Sequence, residues 1–153
     1  MEETEVKETQ RPELKHRGPL DVSLFFAAVP LAKRAQGVRW TPLPDVVAQM
    51  ARSQGRVADP GRAGLAATRA CGRYAQWFGG LNTCLTRSLV AGALLCGRFE
   101  VVLHVGFRPG SEEVQVDGHA WLTVDGVKLG VLEEGDAAVP FTGVLEIPFR
   151  SEG

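Results

Sequence analysis

The residues with the clearest potential for chemistry in this chain are one cysteine and one histidine. Cys84 follows the stretch GGLNT, where a loop gives way to a predicted helix, and His119 follows Asp117-Gly118 at the start of a predicted strand. Free amides and the helix dipole stabilise a thiolate at a helix N-terminus, and the same amides can donate to an oxyanion. Histidine is the usual base for such a thiol. The pair indicates nucleophilic acyl chemistry, although a packed cysteine and a structural histidine would have the same local sequence.

The other cysteines and histidines suggest no competing chemistry. Cys71 and Cys96 are predicted to be core or helix-surface thiols. His16 lies in a charged start of the chain, and His104 falls on the alternate face of its strand, facing solvent or another layer. Cysteines and histidines never cluster in the pairs that a zinc site requires, so no metal site is expected. Thiol acyl chemistry needs no organic cofactor, and none is expected.

Four predicted helices precede the histidine. Their positions follow from helical spacing of apolar residues and from capping signals, which are Asp21 before the first helix, Gly79-Gly80 after the third, and Thr83 or Asn82 before the fourth. The predicted spans are residues 21 to about 36, 43 to about 54, 60 to about 78 and 84 to about 95.

After Gly97 the apolar pattern changes to alternation, which predicts strands. Asp125-Gly126 is a strong signal for a two-residue hairpin turn. A polar loop is expected before the second strand. The predicted strands cover residues 99–107, 119–124, 127–132 and 143–147. Helices first and antiparallel strands second indicate an α+β domain.

The distribution of charge is uneven, and the whole chain has a net charge of −1. Residues 31–80 carry eight basic side chains against two acidic ones, whereas residues 111–136 carry seven acidic side chains against one lysine. Such polarity could steer a charged peptide, or the two halves could pack with complementary faces. The basic helices show no nucleic-acid motif and no interleaved aromatic residues, so no nucleic acid is expected as a partner.

Composition and length favour one soluble domain over residues 19–150, preceded by a disordered start at residues 1–18. The odd number of cysteines favours a reducing compartment and a cytoplasmic protein. The apolar run at residues 22–32 lies behind an acidic start and contains Pro30, so it is interpreted as a buried helix and not as a secretory signal. No run is long enough to span a bilayer, and no membrane association is expected.

Three stretches together resemble a known enzyme family. NTCLTRSL (82–89), VVLHVGF (101–107) and DGHAWLTVDG (117–126) resemble the stand-alone B proteins of lasso-peptide biosynthesis, with the histidine 35 positions after the cysteine. These are transglutaminase-like cysteine peptidases that remove the leader from a lasso precursor. The resemblance extends over about residues 20–132 and implies a transglutaminase-like, papain-like cysteine protease core.

The resemblance implies a role for each matching residue. Cys84 would be the nucleophile and His119 the general base. Arg87 and Ser88 match the helix motif and are expected to serve packing and electrostatics, and Arg87 could also support the thiolate. Trp121 is expected to form a wall of the core on the same side as His119.

The residue that would orient the histidine is missing from its usual place. The family has an aspartate or another acid about twelve positions after the histidine, where this chain has Val131. Glu133 is one step beyond the expected pairing position and becomes the candidate if a bulge or register shift brings it alongside. Asp136 and Asp117 are alternatives. The site is therefore a Cys-His dyad, a triad with a displaced acid, or a degenerate relative.

The resemblance also implies partners, namely a precursor leader peptide, a separate leader-recognition protein and a lasso cyclase. Two other functions remain open. One is transglutaminase-like acyl transfer or amide hydrolysis on another substrate. The other is a non-catalytic peptide-binding protein that has lost the triad acid.

Overall fold

The computed structural model describes residues 21–109, 116–130 and 143–150. Within these residues, four α-helices precede the strands, and a 3₁₀ turn (Gln36–Arg39) follows the first helix described. The helices are α1 (Val22–Ala35), α2 (Leu43–Ala51), α3 (Pro60–Phe78) and α4 (Cys84–Leu95). The predictions for residues 1–18, for the centre of the polar loop and for residues 131–142 lie outside the described residues.

Helix ends coincide with the capping signals of the sequence. The side chain of Asp21 accepts the N–H of Leu24 at the start of α1, and Asp59 caps α3, where Pro60 is the first helical residue. Gly79 ends α3 with a φ of 76°, a left-handed conformation that glycine adopts without a steric penalty. The predicted boundaries of α1, α3 and α4 are confirmed to within a residue.

The helix α2 ends at Ala51, three residues before the predicted end. The chain then turns at Gln54, which has a φ of 48°, and runs against the end of α4. There the N–H of Gly55 donates to the carbonyl of Ala93 at 3.0 Å, and a Cβ on Gly55 would collide with that carbonyl. This close approach ends α2 early, because a continuing helix would carry the chain away from α4.

Four antiparallel strands follow the helices, as expected for an α+β fold. They are β1 (Val101–Pro109), β2 (Val116–Val124), β3 (Val127–Lys128) and β4 (Gly143–Pro148), and they form a sheet in the order β3-β2-β1-β4. The predicted hairpin turn is confirmed, because Asp125 and Gly126 both have positive φ, 50° and 84°.

The second strand begins at Val116 and not at residue 119, so His119 lies inside β2 and does not open it. Pairing with β1 continues past the predicted loop boundary, as far as the pair Pro109–Val116. Gly118 faces the ring of Phe107. A Cβ added to Gly118 would lie 3.7 Å from the nearest atoms of that ring. Continued antiparallel pairing thus overrides the loop signal of the polar residues.

The core lies between the helices and one face of the sheet. Leu103 on β1 and Ala120 and Leu122 on β2 are buried together with the apolar face of α4. The stretch VAGALL of α4 is entirely buried, as predicted. Phe149, which follows β4, packs so closely on α4 that a Cβ on Gly92 would overlap its ring. None of the described helices is both long and apolar enough to cross a membrane.

Candidate active site

The loop before α4 places Cys84 as the first residue of that helix. Thr83 is the N-cap, its Oγ1 accepting the N–H of Thr86 at 3.2 Å while its own N–H donates to Thr86 Oγ1 at 2.9 Å. This reciprocal capping box uses the N–H groups of Thr83 and Thr86. Within the described residues, the N–H groups of Cys84 and Leu85 have no hydrogen-bond acceptor. The thiol therefore stands beside free amide donors at the positive end of the helix dipole.

A buried glutamine holds the same loop to α1. Gln36 is buried, and its Oε1 accepts the N–H of Leu81 at 2.7 Å while its Nε2 donates to the carbonyl of Leu81 at 3.0 Å. A Cβ on Gly80 would lie 2.7 Å from Gln36 Oε1, so a larger residue at position 80 would displace the Gln36 amide. No local sequence pattern indicates this contact, since the two residues are 45 positions apart. Both polar groups of the Gln36 amide thus fix the backbone three residues before Cys84.

The sulfur of Cys84 lies at the edge of β2. The backbone N–H of Ala120 donates to Cys84 Sγ with a distance of 3.3 Å between nitrogen and sulfur. In the described part of the chain, β3 pairs only with Thr123 and Val124, so β2 is not covered by β3 at Ala120. The thiol takes the hydrogen-bonding place that a neighbouring strand would fill. Cys84 is thereby brought to the peptide group that joins His119 to Ala120.

His119 projects from the sheet face opposite the helices, and Trp121 lies on the same face. The two rings stack with their centroids 6.0 Å apart and an angle of 29° between their planes. Trp121 also stacks on His104 of β1, at 5.5 Å and 5°. The expectation that Trp121 forms a wall of the core is wrong, because alternation places Ala120 and Leu122 toward the helices and leaves the indole half-buried on the outer face. Its predicted position on the same side as His119 is confirmed.

Two polar side chains and a lysine surround the stacked rings. His104 Nε2 lies 3.0 Å from Thr123 Oγ1, and its Nδ1 lies 3.6 Å from a carboxylate oxygen of Glu146 on β4. The Lys128 ammonium lies 5.2 Å from the centroid of the Trp121 ring, within cation–π range. Burial lowers the pKa of His104, and Lys128 lowers it further, outweighing the exposed carboxylate of Glu146. His104 therefore stacks on Trp121 as an uncharged imidazole near pH 7.

The two predicted supporting residues of α4 are buried. The Arg87 guanidinium donates to Asn82 Oδ1 at 3.0 Å, which ties α4 to the loop before Cys84. Ser88, one turn beyond Cys84, is fully buried, and its Oγ has no hydrogen-bond partner among the described residues. Arg87 brings a positive charge near the start of α4 and lowers the pKa of Cys71, although burial is the larger effect on that thiol.

Comparison with known proteins identifies a family for the chain. A family model described as the transglutaminase-like superfamily matches residues 25–145. The chain belongs to the transglutaminase-like superfamily. No curated protein and no solved structure matches the chain.

Enzymes of the transglutaminase-like superfamily are generally cysteine-protease-like catalysts, and only one thiol of this member has such surroundings. Burial raises the pKa of Cys71 to about 11, and burial also raises the pKa of Cys96. Both thiols are free and unsuited to nucleophilic attack at neutral pH, as predicted for core or helix-surface cysteines. Cys84 combines partial exposure, a helix N-terminus and a donated N–H.

The third member of a transglutaminase-like triad remains a prediction. Val131, Glu133 and Asp136 lie outside the described residues, as does the side chain of Asp117. An acid that the sequence did not suggest, Glu146, approaches His104 and not Cys84. Over residues 21–109, 116–130 and 143–150, no group of three or more potential ligands could hold a metal ion.

Proposed function

We propose that this transglutaminase-like protein is a cysteine peptidase that removes the leader from a ribosomally synthesised lasso-peptide precursor. Cys84 is the nucleophile and His119 the general base. The observation that carries the proposal is the position of Cys84 Sγ, 3.3 Å from the N–H of the residue that follows His119, at the first turn of α4. The motif resemblance at residues 82–89 and 117–126 supplies the substrate class.

The first half of the reaction transfers the leader to the enzyme. The Cys84 thiolate attacks the carbonyl carbon of the scissile peptide bond, and a carbon–sulfur bond forms. The carbon–nitrogen bond then breaks, and the His119 imidazolium gives its proton to the departing amine. The core peptide leaves with a free amino group, and the leader remains as a thioester on Cys84.

The start of α4 supports the charge that develops during attack. The N–H groups of Cys84 and Leu85 lie outside the capping box, so they can donate to the oxyanion of the tetrahedral intermediate. The N–H of Ala120 donates to the sulfur and holds it beside the first turn of α4.

The second half of the reaction frees the leader. Neutral His119 takes a proton from water, and the resulting hydroxide equivalent attacks the thioester carbonyl. The carbon–sulfur bond breaks, Cys84 returns as a thiolate, and the leader departs with a new carboxylate. The imidazole keeps the proton that it took from water, so the thiolate–imidazolium pair is restored, and the carboxylic acid of the leader loses its proton to solvent.

The partners of this proposal are the precursor leader peptide, a separate leader-recognition protein and a lasso cyclase. A cytoplasmic location fits the three free thiols, which a reducing compartment preserves.

A second candidate function uses the same thioester. Superfamily membership also fits acyl transfer, in which an amine replaces water as the acceptor, and amide hydrolysis on another substrate. The two functions differ in the second step, and product analysis separates them.

The deciding experiment is incubation of the purified protein with a lasso precursor and its leader-recognition protein, followed by mass spectrometry. We expect a free leader and a core peptide, with no product from Cys84→Ser or His119→Ala. Cys96→Ser is the matched control, since it removes a thiol outside the site and should leave cleavage unchanged. Transfer of the leader to added hydroxylamine without hydrolysis in water would favour acyl transfer.

Intact precursor in every reaction, although Cys84 alkylates rapidly, would contradict the peptidase proposal. Slow alkylation of Cys84 with a pH profile unchanged in His119→Ala would remove the basis for any thiolate–imidazolium chemistry in the free protein.

A further inference from the structure

A groove between α1 and α3 lies close to the loop that carries Cys84. The groove has a volume of about 700 Å³, within the range of sites that bind ligands. Its lining, here called the α1–α3 groove, consists of Phe25, Arg69, Gly72, Arg73, Gln76 and Trp77. The proposed chemistry at Cys84 uses none of these side chains.

Two arginines of the groove form an uncompensated positive pair. Arg69 and Arg73 are one helical turn apart on α3, where like charges repel. Both are exposed, and neither has an ion pair with any residue in the described part of the chain. Arg62, on the same helix, is by contrast paired with Asp21 at 2.7 Å. Two carboxylates of a ligand would supply the missing countercharges at Arg69 and Arg73.

The floor of the groove contains a glycine that packing does not require. Gly72 lies in the middle of a 19-residue helix, where alanine would be the more stabilising residue. A Cβ at this position would meet only Asn82 Nδ2, at an ordinary contact distance of 3.7 Å. The effect of the glycine is to leave the floor open between the two arginines, so that another backbone can approach closely.

The remaining lining suits a peptide. Trp77 is 54% exposed, and an exposed indole next to arginines is a typical anchor for an apolar side chain. Phe25 is buried at the base of the groove and extends this apolar surface. The exposed amide of Gln76 can both donate to and accept from a peptide backbone.

We propose that the α1–α3 groove binds an acidic segment of the peptide substrate, with carboxylates on Arg69 and Arg73 and an apolar side chain on Trp77. The inference rests on the proposed peptidase function, and it states which feature of the substrate the enzyme recognises. The groove adjoins the loop before α4, because Gly72 faces Asn82, which lies two residues before Cys84 in the sequence. The same loop is bound to α1 through Gln36 and Leu81.

The test measures binding separately from cleavage. The probe is a fluorescein-labelled heptapeptide of alternating glutamate and leucine, titrated with the full Cys84→Ala protein and followed by anisotropy. The double variant Arg69→Glu/Arg73→Glu should bind the probe at least about tenfold more weakly than the parent does, because two charge-assisted contacts to carboxylates are lost. The control Arg52→Glu/Arg98→Glu makes the same change in net charge at exposed positions outside the groove, and it should bind like the parent.

A second variant guards against misfolding as an explanation. Gly72→Ala should raise the melting temperature, because alanine favours the helix and fits beside Asn82. The same change should weaken binding of the probe, since the added methyl group narrows the floor.

Equal weakening in the two double variants would show only attraction between opposite net charges and would overturn the proposal. Equal binding of a lysine–leucine heptapeptide would also overturn it. The proposal would also fail if the parent does not bind the probe but self-associates, and if the groove variants abolish that self-association. The occupant of the groove would then be a second copy of the chain. If the probe binds at the groove but the protein cleaves no precursor, the groove is a peptide-binding site and the peptidase function is rejected.

Discussion

The imidazole of His119 is stacked on the indole of Trp121, which is itself stacked on His104 of the neighbouring strand. The first pair of ring centroids is 6.0 Å apart and the second is 5.5 Å apart. At the other end of this row, His104 Nε2 lies 3.0 Å from Thr123 Oγ1. His119 is thus the first ring in a row of stacked side chains that spans two strands.

Replacement of Trp121 tests whether this row orients His119. Trp121→Leu is expected to lower kcat about tenfold with little change in KM, because a loosely oriented base loses near-attack geometry. Trp121→Phe keeps an aromatic face and should retain most of the activity. Steady-state kinetics on a precursor measure both values, and Trp40→Leu is the control, since Trp40 is 72% exposed and distant in sequence from the site. Equal kcat in all three variants would show that the stacking does not position His119.

Alkylation should distinguish the three thiols. Near neutral pH, iodoacetamide is expected to modify Cys84 and to spare Cys71, because Cys71 is buried and its pKa is raised to about 11. Cys96, with its pKa also raised by burial, should react more slowly than Cys84. Peptide mapping by mass spectrometry after timed quenching gives the three rates. Labelling of Cys71 at the same rate as Cys84 would contradict the assignment of Cys71 to the core.

The stability of the protein should fall on mild acidification through His104. Its pKa in the folded state lies below the unfolded value of 6.5, so the unfolded state binds more protons as the pH falls below 6.5. The free energy of unfolding should therefore rise with pH between the lowered pKa of His104 in the folded state and its unfolded pKa of 6.5. Above pH 6.5 the contribution of His104 to stability should level off. Glu146 and Lys128 are the charged groups that face this ring.

Urea unfolding at a series of pH values checks the His104 effect. His104→Gln removes the titrating group while an amide can still bond to Thr123, so the slope of stability against pH should become shallower in that window. An unchanged slope would assign the acid sensitivity to other groups.

The Gln36 contact should stabilise the loop before Cys84. Gln36→Leu leaves the N–H and carbonyl of Leu81 without their partner, which should cost about 1–3 kcal/mol in the free energy of unfolding. Gln49→Leu, at an exposed position of α2, is the matched control and should have little effect. Urea unfolding measures both. A loss of the same size in the two variants would attribute the effect to the added apolar surface.

Local signals in the sequence predicted most of the fold, because caps and turns act within a few residues. Asp21, Gly79, Thr83 and the Asp125-Gly126 turn lie where their chemistry predicts. Boundaries failed where distant segments decide them, as at the end of α2 against Ala93 and at the start of β2 against β1.

For the candidate site, the sequence pointed to two principal residues, and their catalytic roles stay predictions. The helix N-terminus and the motifs pointed to Cys84 and His119, but no local pattern indicated that Gln36 would hold Leu81 or that Glu146 would approach His104. Alternation correctly placed Trp121 beside His119, yet it could not tell which face of the sheet the helices cover.

The contact between Gly92 and Phe149 has a consequence for the order in which the protein is made. It joins the middle of the cysteine-bearing helix to a residue that follows the last strand. A nascent chain that ends before residue 143 contains Cys84 but lacks both β4 and the ring that packs on α4. The thiol is thus synthesised well before the ring that packs on its helix, and the order of elements along the chain delays assembly of this packing until residue 149 has been made.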